Sequence, residues 1–178
     1  MALTSAFARI HALETDTLHM PVAAGATIYP GGLVCSDANG YAVPADDAAD
    51  HVFEGMAMQA QDANGGRLFL TDNVIDNSAG DDGDIFVLLQ RRGYLEVDVN
   101  HVVTQALMSA LCYVIDDNTV AVGAEQAVND VPCGRVCRIL SATRIVMSID
   151  CYTHCAGHGL HEPVSTTTGA PTTTTAGA

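Results

Sequence analysis

The chain has 178 residues, 48% of them hydrophobic, which is enough to bury the core of one domain. Its formal net charge at pH 7 is −14, and its seven basic residues are all arginines. This balance argues against nucleic acid and anionic membranes as partners, because their negative charges would repel the chain. Aromatic residues make up 5% and glycines number 16, which favours short strands and turns over long helices.

No stretch approaches twenty apolar residues without a charge, so no membrane-spanning helix is predicted. The first residues lack the charged segment and long apolar block of a signal peptide. The six cysteines do not form a secreted disulfide framework by themselves, and we expect most of them to be reduced and buried. These features are typical of a protein assembled in a cytoplasm.

The first predicted element is a hairpin within VAAGATIYPGGLVCSDANGYAVPA, residues 22–45. Pro30-Gly31-Gly32 is predicted as a turn, and residues 33–35 and 41–43 as the paired strands. Asn39-Gly40 at the tip supplies the positive φ that tight hairpins need.

Short strands with turn residues between them recur along the rest of the chain. Residues 85–89 are continuously apolar, which predicts a strand buried on both faces, and Gly93 is predicted to turn the chain after it. Leu95, Val97 and Val99 alternate with acidic residues, which predicts one buried face. Residues 101–110 are predicted as a short helix. The other predicted strands are 52–58, 67–70, 94–100, 111–115, 119–122, 135–140 and 144–149, the last with Ile145, Met147 and Ile149 on one face.

This pattern predicts an all-β fold: a compact β-barrel or β-tulip-like domain of short strands and hairpins, with extended N- and C-terminal arms. Residues 1–20 are predicted as the N-terminal arm and 21–150 as the β-domain. Residues 151–178 are predicted as a Cys/His segment followed by a Thr-rich C-terminal arm. Because a segment of Thr, Ala, Gly and Pro cannot bury enough apolar surface to order itself, we expect a neighbouring molecule to hold this arm.

Several segments resemble the capsid cement, or decoration, proteins of bacteriophages. AGATIYPGGLVCSDANGYAVPA is similar to the hairpin that opens their β-domain. GDIFVLLQRRGYLEVDV, ALCYVIDDNTVAV and CGRVCRILSATRIVMSID fit the same scheme in the same order, so that the resemblance covers residues 20 to 150. The motifs are turn and strand signatures, and none of them is catalytic. The Cys/His segment and the Thr-rich arm are not part of the family pattern.

The resemblance implies a virion structural protein on the outer surface of a phage head, made in the host cytoplasm. It implies a homotrimer that binds the major capsid protein and stabilises contacts between its copies, with terminal arms that reach neighbouring decoration proteins. No cofactor is expected. The candidate interface residues are Gly31, Gly32, Asn39, Gly40, Arg91, Arg92, Thr172 and Thr173.

A second type of site is considered in residues 151–161, where thiols and imidazoles are concentrated. The Zn²⁺ candidates are Cys151, His154, Cys155, His158 and His161, but the segment has no CxxC pair and no second knuckle. The alternative is a set of partly buried thiols and hydrogen-bonded imidazoles packed on a neighbour.

Two further clusters have simpler interpretations. Oxygen ligands for Ca²⁺ are dense between residues 72 and 84, but their spacing does not match an EF-hand, which favours a solvated acidic loop. Its members are Asp72, Asn73, Asp76, Asn77, Asp81, Asp82 and Asp84. Cys133 and Cys137 lie about 13 Å apart if both are on one strand, too far for a disulfide, and are predicted as two small core residues.

The sequence contains no G-x-S-x-G, H-E-x-x-H or GxxxxGK[ST] motif, so the chain is predicted not to be an enzyme. Two alternatives remain open. One is a tail-associated or host-recognition protein with a Thr-rich stalk. The other is a small metal-dependent enzyme that uses the Cys/His segment.

Overall fold

The computed structural model describes residues 16–68, 74–123 and 127–150, with only the backbone of Asp150, and this part of the chain is almost entirely β-structure. Its strands are β1 (Thr17–Pro21), β2 (Thr27–Ile28), β3 (Leu33–Ser36), β4 (Ala42–Pro44), β5 (Val52–Gln61), β6 (Ile75–Asp76), β7 (Phe86–Gln90), β8 (Arg92–Val99), β9 (Leu111–Val114), β10 (Thr119–Val122), β11 (Pro132–Ser141) and β12 (Arg144–Asp150). The all-β prediction with a barrel is confirmed.

Five strands form an open antiparallel sheet in the order β1-β7-β5-β3-β4. The predicted Asn39-Gly40 hairpin is β3–β4, with Val34 opposite Pro44 at its base. Strand β1 pairs with β7 along all five of its residues. It begins at Thr17, so the last four residues of the predicted N-terminal arm belong to the sheet.

The other large unit is a closed barrel in the order β10-β8-β12-β11-β9. Both hairpins predicted in this half are present, as β9–β10 and β11–β12. A short parallel pairing of β10 with β8, through Thr119 and Val120, closes the barrel. Parallel pairs need a crossover, and here β9 and its turn provide it. The sheet and the barrel are joined at one residue, Arg91, between β7 and β8.

Strand β3 positions the two units against each other because all four of its residues are buried. Leu33 and Cys35 pack into the larger hydrophobic core together with the barrel interior, whereas Val34 belongs to a second core. The second core also contains Ile28 of β2 and Ile75 of β6, the two strands of a small separate ribbon. The open sheet is therefore covered on one face by the barrel and on the other by the β2–β6 ribbon.

The prediction that residues 85–89 form a strand buried on both faces is wrong. In β7 only Val87 and Leu89 reach the core, while Phe86 and Leu88 on the other face are half-buried. Phe86 stacks instead on His19 of β1, with ring centroids 4.5 Å apart. An apolar run shows that a strand avoids water but does not show which neighbours cover it.

Three smaller predictions also need correction. Gly93 does not turn the chain; it lies inside β8, where φ is 140°. The helix predicted for 101–110 is reduced to one 3-10 turn at Gln105–Leu107, because the backbone is extended at Thr104 and leaves the helical region again at Met108. Of the strand predicted for 67–70, Arg67 forms a single bridge with Gln61, and the last two residues lie outside the described part.

Aspartates at the turns explain part of the acidic composition. The tetrapeptide Asp-Ala-Asn-Gly occurs at 37–40 and again at 62–65, and both copies fold in the same way. Asp37 Oδ1 accepts the N–H groups of Asn39 and Tyr41, each at 2.9 Å. Asp62 Oδ1 accepts those of Asn64 and Gly66 at 2.9 and 2.8 Å. A carboxylate that binds backbone donors in this way fixes the turn that a hairpin requires.

Candidate interaction surface

The four hairpin residues predicted as interface candidates lie in different environments. Gly31 and Gly32 are buried, and both bond to Ala57: Gly31 donates to its carbonyl oxygen at 2.8 Å, and the Ala57 N–H donates to Gly32 O at 2.9 Å. The turn at 30–32 therefore packs on β5 and leaves little accessible surface at these two glycines. Asn39 and Gly40 are exposed at the tip of the β3–β4 hairpin, where a partner can reach them.

The Arg91-Arg92 pair is divided between the inside and the outside of the molecule. The Arg91 side chain is only 14% exposed, and its Nη2 lies 3.4 Å from Oε2 of Glu54, itself 16% exposed. Ser36 Oγ donates to Oε1 of the same carboxylate at 3.1 Å. Arg91 thus ties β5 to the sheet–barrel junction, whereas Arg92 is exposed on the outside of β8.

The outward side chains of β8, β12 and β11 form a surface that we call the arginine face. Strand register places them in rows across the three strands. Four of the seven arginines lie here, all of them exposed: Arg92, Arg135, Arg138 and Arg144. Two acidic residues with described side chains, Glu96 and Asp98, occupy outward positions of β8. The face therefore has a slight excess of basic residues in a chain whose net charge is −14.

Two features give the arginine face the composition of a protein contact. Arg144 Nε lies 2.9 Å from Asp98 Oδ1, and its Nη1 lies 3.4 Å from Glu96 Oε1; these carboxylates, Asp98 first, raise the pKa of Arg144. Tyr94 is 46% exposed and Leu140 is 40% exposed on the same strands. Tyr and Arg are enriched at protein interfaces. Sequence reasoning missed this face, although the period-two pattern of β8 and the β11–β12 hairpin contained the signal.

The loop from Asp76 to Asp84, which we call the acidic loop, is built around Asn77. This residue is 2% exposed, and its Nδ2 donates to the carbonyl oxygens of Val22, Ala23 and Asp81 at 3.2, 3.0 and 2.9 Å. Sequence reasoning had considered Asn77 as an oxygen ligand, but the structure uses its nitrogen. Hydrogen bonds donated by the Asn77 side-chain amide therefore stabilise the conformation of the acidic loop.

The exposed carboxylates of the acidic loop also bind backbone donors. Asp76 Oδ1 accepts the Ser78 N–H at 2.9 Å, and hydrogen bonding by Ser78 lowers the pKa of Asp76. Asp82 Oδ1 accepts the Ala24 N–H at 2.7 Å, and Asp84 Oδ2 accepts the Asp81 N–H at 2.8 Å. Across the described residues, no three His, Cys, Asp or Glu side chains are grouped so that they could hold a metal ion. Asp72 and Asn73 lie outside those residues.

None of the four cysteines of the β-domain is in a disulfide, and they lie in two environments. Cys35, Cys112 and Cys133 are buried in the larger core, and burial raises the pKa of Cys112 to about 12. Cys133 is thus a small core residue as predicted, but Cys137 is exposed, which corrects the prediction for that residue. The β11–β12 register shifts between Val136 and Arg138, and this irregularity leaves Cys137 outside the core.

Thiol labelling should separate these environments. In a Cys151→Ser/Cys155→Ser background, we expect a neutral disulfide reagent to modify Cys137 at least about 100-fold faster than the buried thiols, since reaction requires an accessible thiolate. Peptide mass mapping after brief labelling identifies the modified residue, and a Cys137→Ser variant is the control. Fast labelling of Cys112 or Cys133 in the folded chain would contradict the burial described here.

The described residues define an all-β protein in which a five-stranded barrel is joined to an open sheet. No protein-family model, curated protein or solved structure matches the chain. No helix in the described ranges is long and apolar enough to cross a membrane. The zinc candidates Cys151, His154, Cys155, His158 and His161, and the interface candidates Thr172 and Thr173, lie outside the described residues.

Proposed function

We propose that the chain is a bacteriophage head decoration protein that binds the outer surface of the capsid and stabilises contacts between major capsid proteins. It acts as a homotrimer, without cofactor or catalysis, and its localisation is the virion after synthesis in the host cytoplasm. The terminal segments 1–15 and 151–178 contact neighbouring subunits. Its contribution is surface buried across subunit boundaries, which stabilises the shell by mass action.

The observation that carries this proposal is the agreement between the resemblance and the strands. The quoted segments that are similar to decoration proteins are β2–β4, β7–β8, β9–β10 and β11–β12. They include the hairpin whose Asn39-Gly40 tip is exposed. The exposed tip and the arginine face give the body two surfaces for partners. The repeated contacts of a shell would make even weak individual contacts effective through avidity.

Co-sedimentation with undecorated phage heads tests this function. Because a shell presents many equivalent sites, we expect the purified chain to saturate heads at hundreds of copies. Binding should also raise the temperature at which the heads rupture. Failure to bind heads at any concentration would overturn the proposal. Saturation at a handful of copies would instead favour a tail-associated or host-recognition protein.

The two Asp-Ala-Asn-Gly turns provide a matched pair of variants for this assay. Asn39 and Asn64 are both exposed and occupy the same position in equivalent turns. We expect Asn39→Arg to weaken binding to heads at least about tenfold if the tip is a contact, because a bulky charge would enter the interface. Asn64→Arg should leave binding within about twofold, since it makes the same chemical change outside the proposed contact.

A further inference from the structure

We propose that the arginine face of one copy docks onto the acidic loop of a second copy, in a head-to-tail contact that closes into a ring. This inference rests on the self-association included in the proposed function, and it specifies the surfaces that make the contact. Both complementary surfaces are present on this chain.

The first step is the uneven distribution of charge. The arginine face holds four arginines against two acidic residues, Glu96 and Asp98, whereas the rest of the chain apart from Asp150 holds three arginines against eighteen acidic residues. Of those three, Arg91 is mostly buried against Glu54. A basic surface on an otherwise acidic chain is complementary to most of the remaining surface of a second copy.

The second step identifies the acidic loop as the complement. Asp76, Asp81, Asp82 and Asp84 are all exposed within nine residues. Among the described side chains none of these four carboxylates forms an ion pair, whereas Glu54, Glu96 and Asp98 pair with arginines of their own chain. The backbone hydrogen bonds of Asp76, Asp82 and Asp84 fix the loop before a partner arrives. A preorganised acidic surface loses little entropy when it binds guanidinium groups.

The third step concerns symmetry. A two-fold axis that passed through the arginine face would place one such face against another, which like-charge repulsion disfavours. A contact between the arginine face and the acidic loop avoids this repulsion. When the same contact is repeated around a rotation axis, the copies form a closed ring. The face extends about 20 Å along the strands and about 10 Å across them, less than half of the ~800 Å² per partner of a standard interface. Each single contact is therefore weak, but in a closed ring each copy makes two such contacts, one through its arginine face and one through its acidic loop.

Sedimentation equilibrium of the full chain tests the contact, with Arg138→Glu as the main variant. We expect the wild type to form a discrete oligomer in the micromolar range, and Arg138→Glu to raise the dissociation constant about tenfold or more. Arg67→Glu makes the same change at an exposed arginine outside the face, and it should change the constant less than about twofold. Circular dichroism and thermal melting establish that both variants are folded.

A charge swap then tests the identity of the occupant. Asp81→Arg alone should weaken association like Arg138→Glu, and the double variant should recover to within about threefold of the wild type, since each contact again pairs opposite charges. A monomeric wild type at about 100 μM, an unaffected Arg138→Glu variant, or a double variant that is not rescued would each overturn the inference. So would a monomer whose arginine face binds duplex DNA.

The two proposals can fail separately. A monomer that still saturates phage heads would remove the head-to-tail contact and leave capsid decoration standing. An oligomer that shows the charge swap but binds no heads would support the contact and remove the proposed function.

Discussion

Replacing Gly55 by alanine is expected to lower the free energy of unfolding by about 4 kcal/mol, a large fraction of the ~5–15 kcal/mol that stabilises a typical domain. Gly55 lies in β5 with a φ of 144°, which residues with a side chain rarely adopt. A Cβ built there would overlap the carbonyl oxygen of Gln90 and lie 3.1 Å from its carbon. Because these atoms belong to the backbone of β7, only a shift between strands could relieve the overlap.

Alanine substitutions at two other glycines distinguish the effect of the positive φ from the effect of the overlap with a neighbouring strand. Gly25 has a φ of 75°, but a Cβ added there would meet nothing within 4 Å, so Gly25→Ala should cost only about 1 kcal/mol. Gly134 in β11 is outside the positive-φ group, but its Cβ would overlap Ser148 O, so Gly134→Ala should cost about 2–3 kcal/mol. Denaturant unfolding measures all three. Equal losses at Gly25 and Gly55 would show that close strand approach contributes nothing.

Much of the barrel was predictable because strands such as β8 and β9 have one buried and one more exposed face, although β10 is buried along all four of its residues. Leu95, Val97 and Val99 alternate with polar residues and are buried as predicted, and so are Ile145, Met147 and Ile149. The β9–β10 and β11–β12 hairpins connect neighbours in sequence, so their turn residues were sufficient to place them. Local signals of this kind need no knowledge of distant parts of the chain.

Pairings between distant segments were not predictable from local patterns. Strand β1 pairs with β7, more than sixty residues away, and β10 joins β8 through only two residues. Strand β3 is buried on both faces because two separate units cover it, a property of the assembled fold that four apolar or small residues cannot encode. Periodicity therefore gives the faces of a strand but not the partners that cover them.

The exposure of the candidate interface residues was predictable only in part, for a related reason. The Asn39-Gly40 tip is exposed as its turn chemistry implied, but Gly31 and Gly32 are buried and bonded to the backbone of β5. Arg91 and Arg92 are neighbours in sequence, and they point to opposite environments because β8 begins between them. Whether an arginine binds a partner molecule or its own chain depends on tertiary position.

The ion pair between Glu54 and Arg91 should be the most strongly coupled polar contact at the junction of sheet and barrel. Both side chains are mostly buried, so removing one partner leaves a charge where water cannot fully solvate it. We expect Glu54→Gln and Arg91→Met each to lower the free energy of unfolding by about 2–3 kcal/mol.

The double variant distinguishes a coupled pair from two independent packing roles. With both charges removed no unpaired ion remains, so the double variant should lose about as much stability as one single variant, a coupling of roughly 2 kcal/mol. The exposed pair of Arg144 with Asp98 is the matched control, and it should show less than about 1 kcal/mol of coupling and a stronger salt dependence. Additive losses at Glu54 and Arg91 would mean that the junction is held by packing, with Gly55 and the buried strand β3 as its main determinants.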